Sequence, residues 1–199
     1  IYNYCCKSTN LVSSDNGIGV SLIDEDKIIS DIQESRNNKC KLIIIALHWG
    51  EEEIKYPKDG DIKLARKLVD KGADLIIGHH SHVIQSHEIY KNKNIFYGIG
   101  NLAFDDIYSD TKIKKNLIKR QYQRNKNSLI INISKDLEIS YDCFKYEKRE
   151  LNKLSSKIKI PLPPKGGFDK ALKNYIRKRK IMNFLKAPHK ISLKKLKKF

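Results

Sequence analysis

Three histidines fall within four residues of this chain, directly after one apolar run, and a fourth follows another such run. They are His79, His80 and His82 in one group, and His48 in the other. One isolated histidine is usually an ordinary structural residue, but this grouping favours a shared site. Neutral imidazoles are suitable ligands for Zn, Mn, Fe, Co or Ni. The His80-Ser81-His82 pair can direct both rings towards one cavity, and His48 would complete a set of three nitrogen ligands.

A strand, a helix and a second strand must position these histidines. The run 41–47 is continuous and β-branched, as expected of a strand that is buried on both faces, and 73–78 is a second run of this kind. Between them, Asp61 to Lys71 has helical periodicity and is followed by Gly72 as a C-terminal cap. This order predicts a parallel crossover, which brings the carboxyl ends of the two strands together at one edge of the sheet.

The remaining elements follow from periodicity and turn residues. They are a helix over 24–35, a hairpin of strands 88–91 and 95–100 joined at 92–94, and antiparallel strands 128–133 and 138–144. Gly98 and Gly100 indicate close backbone approach beside the histidines. Residues 1–22 are polar and turn-rich, and are expected to form a loop.

Two groups of carboxylates lie near the histidines in the sequence, and their roles are open. A hydrolytic site with two metals needs oxygen ligands as well as imidazoles, and Asp105 and Asp106 are candidates whose distance from the site the sequence does not give. The run of glutamates at 51–53 follows His48 directly. It is either a solvated acidic turn, or one of its members orients a histidine or binds a cationic substrate group.

The charge of the chain is concentrated in its C-terminal segment. The 199 residues carry a net charge of +17, of which residues 151–199 supply +15, with 16 basic residues and one acidic residue. A Pro/Gly-rich linker at 161–167 precedes a basic helix predicted over 168–186. No apolar run approaches the roughly 18 residues of a membrane-spanning helix, and no signal-peptide pattern is present at the start. A hydrophobic fraction of 40% is enough for a folded core.

The four cysteines do not form a metal-binding or redox motif. Cys5, Cys6, Cys40 and Cys143 include no CxxC spacing, and their density is too low for a disulfide framework. We expect reduced and mostly buried thiols.

Three segments together resemble the bacterial CapA family, which is named for capsule and poly-gamma-glutamate synthesis and belongs to the calcineurin-like metallophosphoesterase superfamily. They are HWGEE at 48–52, GADLIIGHHSHVIQ at 72–85 and IFYGIGNLAFDD at 95–106. The resemblance implies an α/β layered fold, namely the C-terminal part of a metallophosphoesterase-like β-sandwich flanked by helices. It covers roughly residues 1–145. It does not extend to the basic tail. With the composition of the C-terminal segment, the expected organisation is 1–150 for this domain portion, 151–167 for a linker and 168–199 for a basic helical tail.

The resemblance also implies roles for individual residues. His48, His80 and His82 match metal ligands, and the implied cofactor is a divalent metal, Mn, Fe or Zn, dinuclear in the intact protein. Glu52 and Asn101 match positions of the family's HWG-x-E and GN patterns, and His79 precedes the closing pair. These last three residues are expected to steer substrate or protons. Ser81 replaces a proline that many members carry, which should change loop rigidity more than ligation.

The resemblance leaves some of the superfamily's ligands without a counterpart. Its earlier motifs supply an Asp, a bridging carboxylate and an Asn-His pair, and no GD, NLE or NNH sequence occurs in residues 1–47. The chain begins with Ile1, and Met182 is its single methionine. We therefore expect a truncated domain whose half-site binds metal weakly and is catalytically poor alone.

Three functions remain open at this point. The first is a metal-dependent phosphoesterase-type protein of capsule or poly-gamma-glutamate synthesis, acting on an anionic polymer or on a phosphorylated or glutamyl substrate, with other polymer-synthesis subunits as partners. The second is a binding module whose basic tail holds an anionic polymer, nucleic acid or a membrane surface, with an incomplete and inactive metal site. The third is a structural domain. Localisation is undetermined: a bacterial protein, either cytoplasmic or held at the cell envelope by an anchor in a missing N-terminal part.

Overall fold

The fold consists of three layers, with a five-stranded sheet between two helices and a three-stranded sheet. The computed structural model describes residues 1–7, 19–111, 114–119, 122–155, 160, 162–163 and 165–186. The α/β layered class predicted from the sequence is confirmed.

The helices and strands have the following bounds. The helices are α1 (Glu25–Asn37), α2 (Asp59–Asp70) and α3 (Gly167–Lys186), with a 3-10 turn at Gln123–Lys126. The first five strands are β1 (Tyr2–Cys5), β2 (Ile44–His48), β3 (Leu75–His79), β4 (His87–Tyr90) and β5 (Lys93–Phe96). The others are β6 (Ile107–Thr111), β7 (Lys114–Lys119), β8 (Asn127–Ile133), β9 (Ile139–Glu147) and β10 (Glu150–Lys153).

The large sheet has the strand order β1-β2-β3-β5-β4. Strands β1, β2, β3 and β5 run parallel to their neighbours, and β4 is antiparallel to β5. The β2–α2–β3 unit is the predicted crossover, and its two strands are adjacent in the sheet. Strands β8, β9 and β10 form the three-stranded antiparallel sheet, and β6 and β7 form a separate hairpin.

The apolar run of β2 is continuous because both faces of the strand are buried. Ile45 and Leu47 pack on the side of α1 and α2, in the same cluster as Leu68. Ile44 points to the opposite face and belongs to a cluster with Leu129 of the three-stranded sheet. Full burial of such side chains stabilises a fold by roughly 1.5–3 kcal/mol each, so β2 is held firmly from both sides.

The two helices beside the sheet begin and end at recognisable residues. At the start of α1, the carboxylate of Asp24 accepts a hydrogen bond from the backbone N–H of Lys27 at 3.0 Å. Helix α2 starts two residues earlier than predicted and ends at Asp70. Gly72 follows with φ +114°, a left-handed conformation that favours glycine and confirms the predicted cap.

Two expectations at the sheet were wrong. Residues 2–5 form β1 rather than a loop, because Tyr4 is buried and the segment pairs in parallel with β2. The predicted strand 95–100 ends at Phe96, and the hairpin turn lies at Lys91–Asn92. Beyond Phe96 the chain leaves the sheet, and Gly100 forms an isolated bridge with Ser128. Residues 8–18 of the expected loop lie outside the described residues.

The cysteines are less buried than expected. All four are reduced thiols rather than disulfide partners; Cys5 and Cys143 are buried, Cys6 is half-buried and Cys40 is exposed. The prediction of buried thiols is therefore confirmed for Cys5 and Cys143 and wrong for Cys40, with Cys6 between the two.

The C-terminal segment contains one strand and one helix in its described part. Strand β10 extends the three-stranded sheet to Lys153, and the basic helix α3 starts at Gly167, one residue before its predicted start. Residues 187–199 lie outside the described residues. Along the part of the chain that the structure covers, no helix combines the length and apolar character needed to cross a membrane.

Candidate functional site

The predicted juxtaposition of the two strand ends is present. In the β2–β3 ladder, His48 is the register partner of His79, and the backbone N–H of Trp49 donates to the carbonyl of His79 at 3.4 Å. The loop that carries His80 and His82 begins at this point. All four histidines therefore belong to the same edge of the sheet.

The three predicted metal ligands lie in sequence along this edge. The ring centroids of His48 and His80 are 4.5 Å apart, and those of His80 and His82 are 6.3 Å apart. Two imidazoles on one tetrahedral metal, with metal–nitrogen bonds of about 2.1 Å, place their centroids about 5 Å apart. The separation of His48 and His80 is shorter than this value, and that of His80 and His82 is longer.

The loop holds its histidines in an uncommon backbone conformation. His80 has φ +85° and His82 has φ +55°, which non-glycine residues adopt infrequently and at a cost of about 1–3 kcal/mol each. Ser81 fixes the loop between them: its side chain is 1% exposed, its hydroxyl donates to the carbonyl of Val83 at 2.9 Å, and its carbonyl accepts from Glu53 N–H at 2.7 Å. Strain of this kind is a frequent property of functional loops.

Glycines allow the surrounding backbone to approach this edge. A Cβ at Gly78 would lie 1.9 Å from the carbonyl oxygen of Tyr97, which also accepts a hydrogen bond from the indole of Trp49 at 3.0 Å. A Cβ at Gly98 would lie 2.6 Å from the hydroxyl of Ser81. The close approach beside the histidines is therefore confirmed for Gly98, whereas a Cβ at Gly100 would lie 2.3 Å from the carbonyl oxygen of Asn127 instead.

Asn101 acts on His82 through a defined hydrogen-bond pattern. Its amide nitrogen donates to the carbonyls of His82 at 3.4 Å and Asn125 at 3.1 Å. The amide oxygen is thereby turned towards Nδ1 of His82, at 2.8 Å. Because an amide oxygen only accepts, Nδ1 carries the proton and Nε2 keeps its lone pair. Asn101 thus orients a ligand-competent imidazole, and Phe104 stacks on the same ring at 5.4 Å.

Cys5 makes a similar contact with His48 that the sequence did not reveal. Its sulfur lies 3.2 Å from Nδ1 of His48, so the second ring nitrogen, Nε2, is free of this contact. The contact depends on the parallel register in which Cys5 pairs with His48. Because residues 1–22 read as a loop, no local signal placed this thiol beside the histidine.

The environment keeps these imidazoles in the neutral form that binds metals. Burial lowers the pKa of His48, and the neighbouring charge of His82 lowers it further. The pKa values of His79 and His80 are also lowered, first by burial and then by the charge of His48. Glu52 and Glu51 act in the opposite direction on His80. The net effect is that protonation of His48, His79 and His80 is disfavoured at neutral pH.

The glutamates that follow His48 differ in their surroundings. Glu51 forms an ion pair with Lys58 at 3.5 Å. Glu52 is exposed, and its charge acts on His80, which places it near the predicted ligands. Asp105 is exposed and accepts a hydrogen bond from Tyr146 at 3.4 Å.

The set of ligands is incomplete. Over the described parts of the chain, no three or more His, Cys, Asp or Glu side chains are arranged to hold a metal ion together. Imidazole nitrogens are suitable donors for a divalent metal, whereas the number of converging donors in the described residues is too small to hold one.

A cleft of about 460 Å³ lies beside His80. Trp49 and Leu64 contribute apolar parts of its lining, and Lys7, Lys58 and Asp61 contribute charged groups. Burial raises the pKa of Asp61, despite the opposing hydrogen bond from the backbone of Lys58. Sequence reasoning did not identify this cleft, because its lining comes from segments far apart along the chain.

Comparison with known proteins identifies the family. The sequence model of the family described as bacterial capsule synthesis protein PGA_cap matches residues 5–106, and this segment includes every predicted site residue. The chain belongs to the PGA_cap family. The match ends before β6, so β6–β10 and α3 lie outside the matched segment.

Curated relatives of this PGA_cap chain include the capsule biosynthesis protein CapA of Bacillus anthracis, 42% identical over 86 residues, which are 43% of this chain and 21% of the relative. The PGA biosynthesis protein CapA of Bacillus subtilis is 37% identical over 97 residues, 49% of this chain and 25% of the relative. A probable polyglutamine synthesis accessory protein of Mycobacterium tuberculosis is 38% identical over 64 residues, 32% of this chain and 17% of the relative. The matched segments span a quarter or less of each of these relatives.

Proposed function

We propose that this chain contributes the histidine-bearing part of a divalent metal site of phosphoesterase type, within a protein of capsule or poly-gamma-glutamate synthesis. The observation that carries the proposal is the common edge at which His48, His80 and His82 lie, with neighbouring ring centroids 4.5 and 6.3 Å apart. A divalent metal bound there would act as a Lewis acid on a phosphoryl or carbonyl oxygen. The names of the relatives refer to capsule and PGA biosynthesis, and this supports placing the protein in that process.

The contacts behind the rings support metal binding. Asn101 accepts from Nδ1 of His82, and Cys5 contacts Nδ1 of His48, so each ring has Nε2 available on its other side. Metal-binding histidines in proteins commonly have such a partner on the second ring nitrogen, which fixes the tautomer and the ring orientation. We therefore propose that Asn101 positions His82, in place of the role in steering substrate or protons expected from the sequence.

For Glu52 and His79 we propose the roles expected from the sequence, at the border of the site. Glu52 is exposed and its charge acts on His80, so it is placed to accept a proton or contact a cationic group. His79 is half-buried beside His48 and stays neutral. The cleft beside His80 gives a substrate group access to this edge.

Further ligands are required, because the described histidines form an open set. We propose that oxygen ligands from elsewhere in the intact protein complete the site, and that the present chain binds metal with modest affinity. Mn²⁺ is the first choice of probe, because it favours oxygen and nitrogen ligands over the chain's thiols.

The test is Mn²⁺ binding to the full 199-residue chain by equilibrium dialysis followed by elemental analysis, with Zn²⁺ and Fe²⁺ in parallel. We expect His80→Ala with His82→Ala to abolish saturable binding. The matched control is His87→Ala, since His87 stacks on Phe96, 4.2 Å away, and lies in β4 rather than in this loop. Unchanged binding in the double variant would refute the ligand assignment, and so would an equal loss in the control.

A further inference from the structure

Asp61 lines the cleft beside His80, and little balances its charge there. Within the described residues, its carboxylate accepts one hydrogen bond, from the backbone N–H of Lys58 at 3.3 Å. Burial raises the pKa of Asp61, and the hydrogen bond and charge of Lys58 oppose this shift without cancelling it. A half-buried carboxylate with so few partners gains more from a bound cation than an exposed carboxylate does.

A second oxygen without a partner belongs to the buried side chain of Gln85. This residue is 1% exposed, and its amide nitrogen donates to the carbonyls of Ile54 at 2.8 Å and Tyr56 at 3.4 Å. These two bonds fix the orientation of the amide, and its oxygen Oε1 has no hydrogen-bond partner in the described part of the chain. Buried polar atoms are paired in the large majority of cases, so this exception requires an explanation.

Gly50 leaves a space that both of these oxygens border. Gly50 lines the cleft, as Asp61 does. The position that a Cβ of Gly50 would take lies 3.7 Å from Oε1 of Gln85 and 3.9 Å from Oδ2 of Asp61. The amide nitrogen of Gln85 is similarly close, at 3.6 Å, but its hydrogens are engaged by Ile54 and Tyr56. A carboxylate oxygen and the negative end of an amide dipole therefore face the same space, which favours a cation that can donate hydrogen bonds.

The cationic groups of the cleft do not meet this need. The ammonium of Lys58 pairs with Glu51 at 3.5 Å and lies 5.8 Å from the ring centroid of Phe168 at the start of α3, within cation–π range. Lys7 is exposed, so solvent screens its charge. The lining therefore combines a lysine that already has partners with a carboxylate that has no ion pair in the described residues.

The remaining lining favours an organic cation over a metal ion. Ca²⁺ and Mg²⁺ take about six or more oxygen ligands, which the acceptors of this cleft do not provide. Ile23, Trp49 and Leu64 contribute apolar surface. An organic ammonium needs only a few acceptors, and its hydrocarbon part can contact these side chains. A cleft of about 460 Å³ suits a small molecule.

We propose that Gly50, Asp61 and Gln85 form a site, here called the acceptor pocket, that binds the protonated primary amine of a small organic molecule. The ammonium donates to the carboxylate of Asp61, Oε1 of Gln85 adds negative potential behind it, and the hydrocarbon part lies against Trp49 and Leu64. The site goes beyond the proposed metal site, because none of its residues is a predicted metal ligand and its binding needs no metal.

The test is a titration of the ¹⁵N-labelled full chain with benzylamine, followed through the indole N–H of Trp49 and the side-chain amide of Gln85. EDTA is present throughout, so that metal takes no part. Benzyl alcohol, a neutral ligand of nearly the same shape, and inorganic phosphate are titrated in parallel. The test variant is Asp61→Asn, which keeps an oxygen for the N–H of Lys58. The matched control is Asp59→Asn, an exposed residue in the first turn of the same helix with the same change in charge.

We expect the wild-type chain to bind benzylamine about 10- to 100-fold more tightly than benzyl alcohol, because hydrogen bonds to charged groups are worth this much. Asp61→Asn should lose most of this preference, and Asp59→Asn should stay within about twofold of the wild type, since solvent screens exposed charge. Comparable affinities of the wild type for the amine and the alcohol would overturn the proposal, whatever the variants do. Tighter binding of phosphate than of benzylamine would overturn it as well, and so would equal losses in the two variants.

The metal site is tested separately from the acceptor pocket. Mn²⁺ binding by Asp61→Asn should equal that of the wild type, so that failure of amine binding leaves the metal assignment unaffected. Loss of Mn²⁺ binding in this variant would identify Asp61 as a metal ligand and overturn its assignment to an amine.

Discussion

The substitution Gly78→Ala tests how closely the backbone packs behind the histidines. Gly78 precedes His79 at the end of β3, and its Cα faces the carbonyl of Tyr97 and the indole of Trp49. An added Cβ would lie 1.9 Å from that carbonyl oxygen and 2.5 Å from Nε1 of the indole. Both distances are far below ordinary van der Waals contact, so the backbone or the indole must move by more than 1 Å.

The size of the effect follows from two contributions. Overpacking a well-packed core typically costs about 1–3 kcal/mol. Displacement of the indole also breaks the hydrogen bond from Trp49 to Tyr97, which is 3.0 Å long and buried, and an unpaired buried carbonyl costs about 1–3 kcal/mol. We therefore expect the free energy of unfolding to fall by about 3 kcal/mol. This is a large part of the 5–15 kcal/mol that is typical of a folded domain.

The assay is equilibrium unfolding in urea, followed by circular dichroism and by the fluorescence of Trp49, the single tryptophan. The matched control is Gly60→Ala, because a Cβ at Gly60 meets no atom within 4 Å and the residue lies in the first turn of α2. Alanine is the better helix former, so this variant should be unchanged or more stable by up to about 1 kcal/mol. If the free energy of unfolding of Gly78→Ala falls by less than about 0.5 kcal/mol, the close approach of Gly78 to Tyr97 is refuted, because surface substitutions have effects of that size.

Two further predictions concern individual side chains. Burial lowers the pKa of His87 below the ordinary 6.5, so the unfolded chain takes up a proton first as the pH falls, and wild-type stability should decline below pH 6.5. The His87→Phe variant keeps the stacking on Phe96, and its free energy of unfolding in urea should decline less between pH 7 and pH 5 than that of the wild type. Asn101→Ala removes the acceptor at Nδ1 of His82 and should weaken Mn²⁺ binding by about 10- to 100-fold in equilibrium dialysis. Asn132→Ala, at an exposed position, should leave it unchanged.

Each of these has a clear contrary result. Parallel pH profiles for His87→Phe and the wild type would show that His87 does not contribute to the acid sensitivity. Equal Mn²⁺ affinity in Asn101→Ala and Asn132→Ala would show that the orientation of His82 does not depend on the asparagine.

Local patterns were sufficient to predict the strands that carry the site. The runs ending at Leu47 and Gly78 are apolar along their whole length because the sheet is covered on both faces, so they read clearly as buried strands. The helix between them fixes a parallel crossover, and the adjacency of His48 and His79 then follows from topology. These features depend on neighbours within about thirty residues.

Features that depend on distant segments were not predictable. Strand β1 is too short to have a periodic signal, and it is a strand because β2 offers it a parallel partner. The contact between Cys5 and His48 depends on that pairing. Likewise, the fork of hydrogen bonds around Asn101 involves the carbonyl of Asn125, from the 3-10 turn before β8. The docking of α3 beside Lys58 could not be read from a sequence that showed only a basic amphipathic segment.

The most direct test of the metal site is the long-range ¹H–¹⁵N spectrum of the histidine rings, recorded while the full chain is titrated with Zn²⁺. We expect the Nε2 resonance of His82 to shift on metal binding while its Nδ1 remains protonated against Asn101. The ring resonances of His48 and His80 should shift in the same titration, and those of His87 should not. Rings of His48, His80 and His82 that stay unchanged at saturating Zn²⁺, or a His82 that binds through Nδ1, would contradict it.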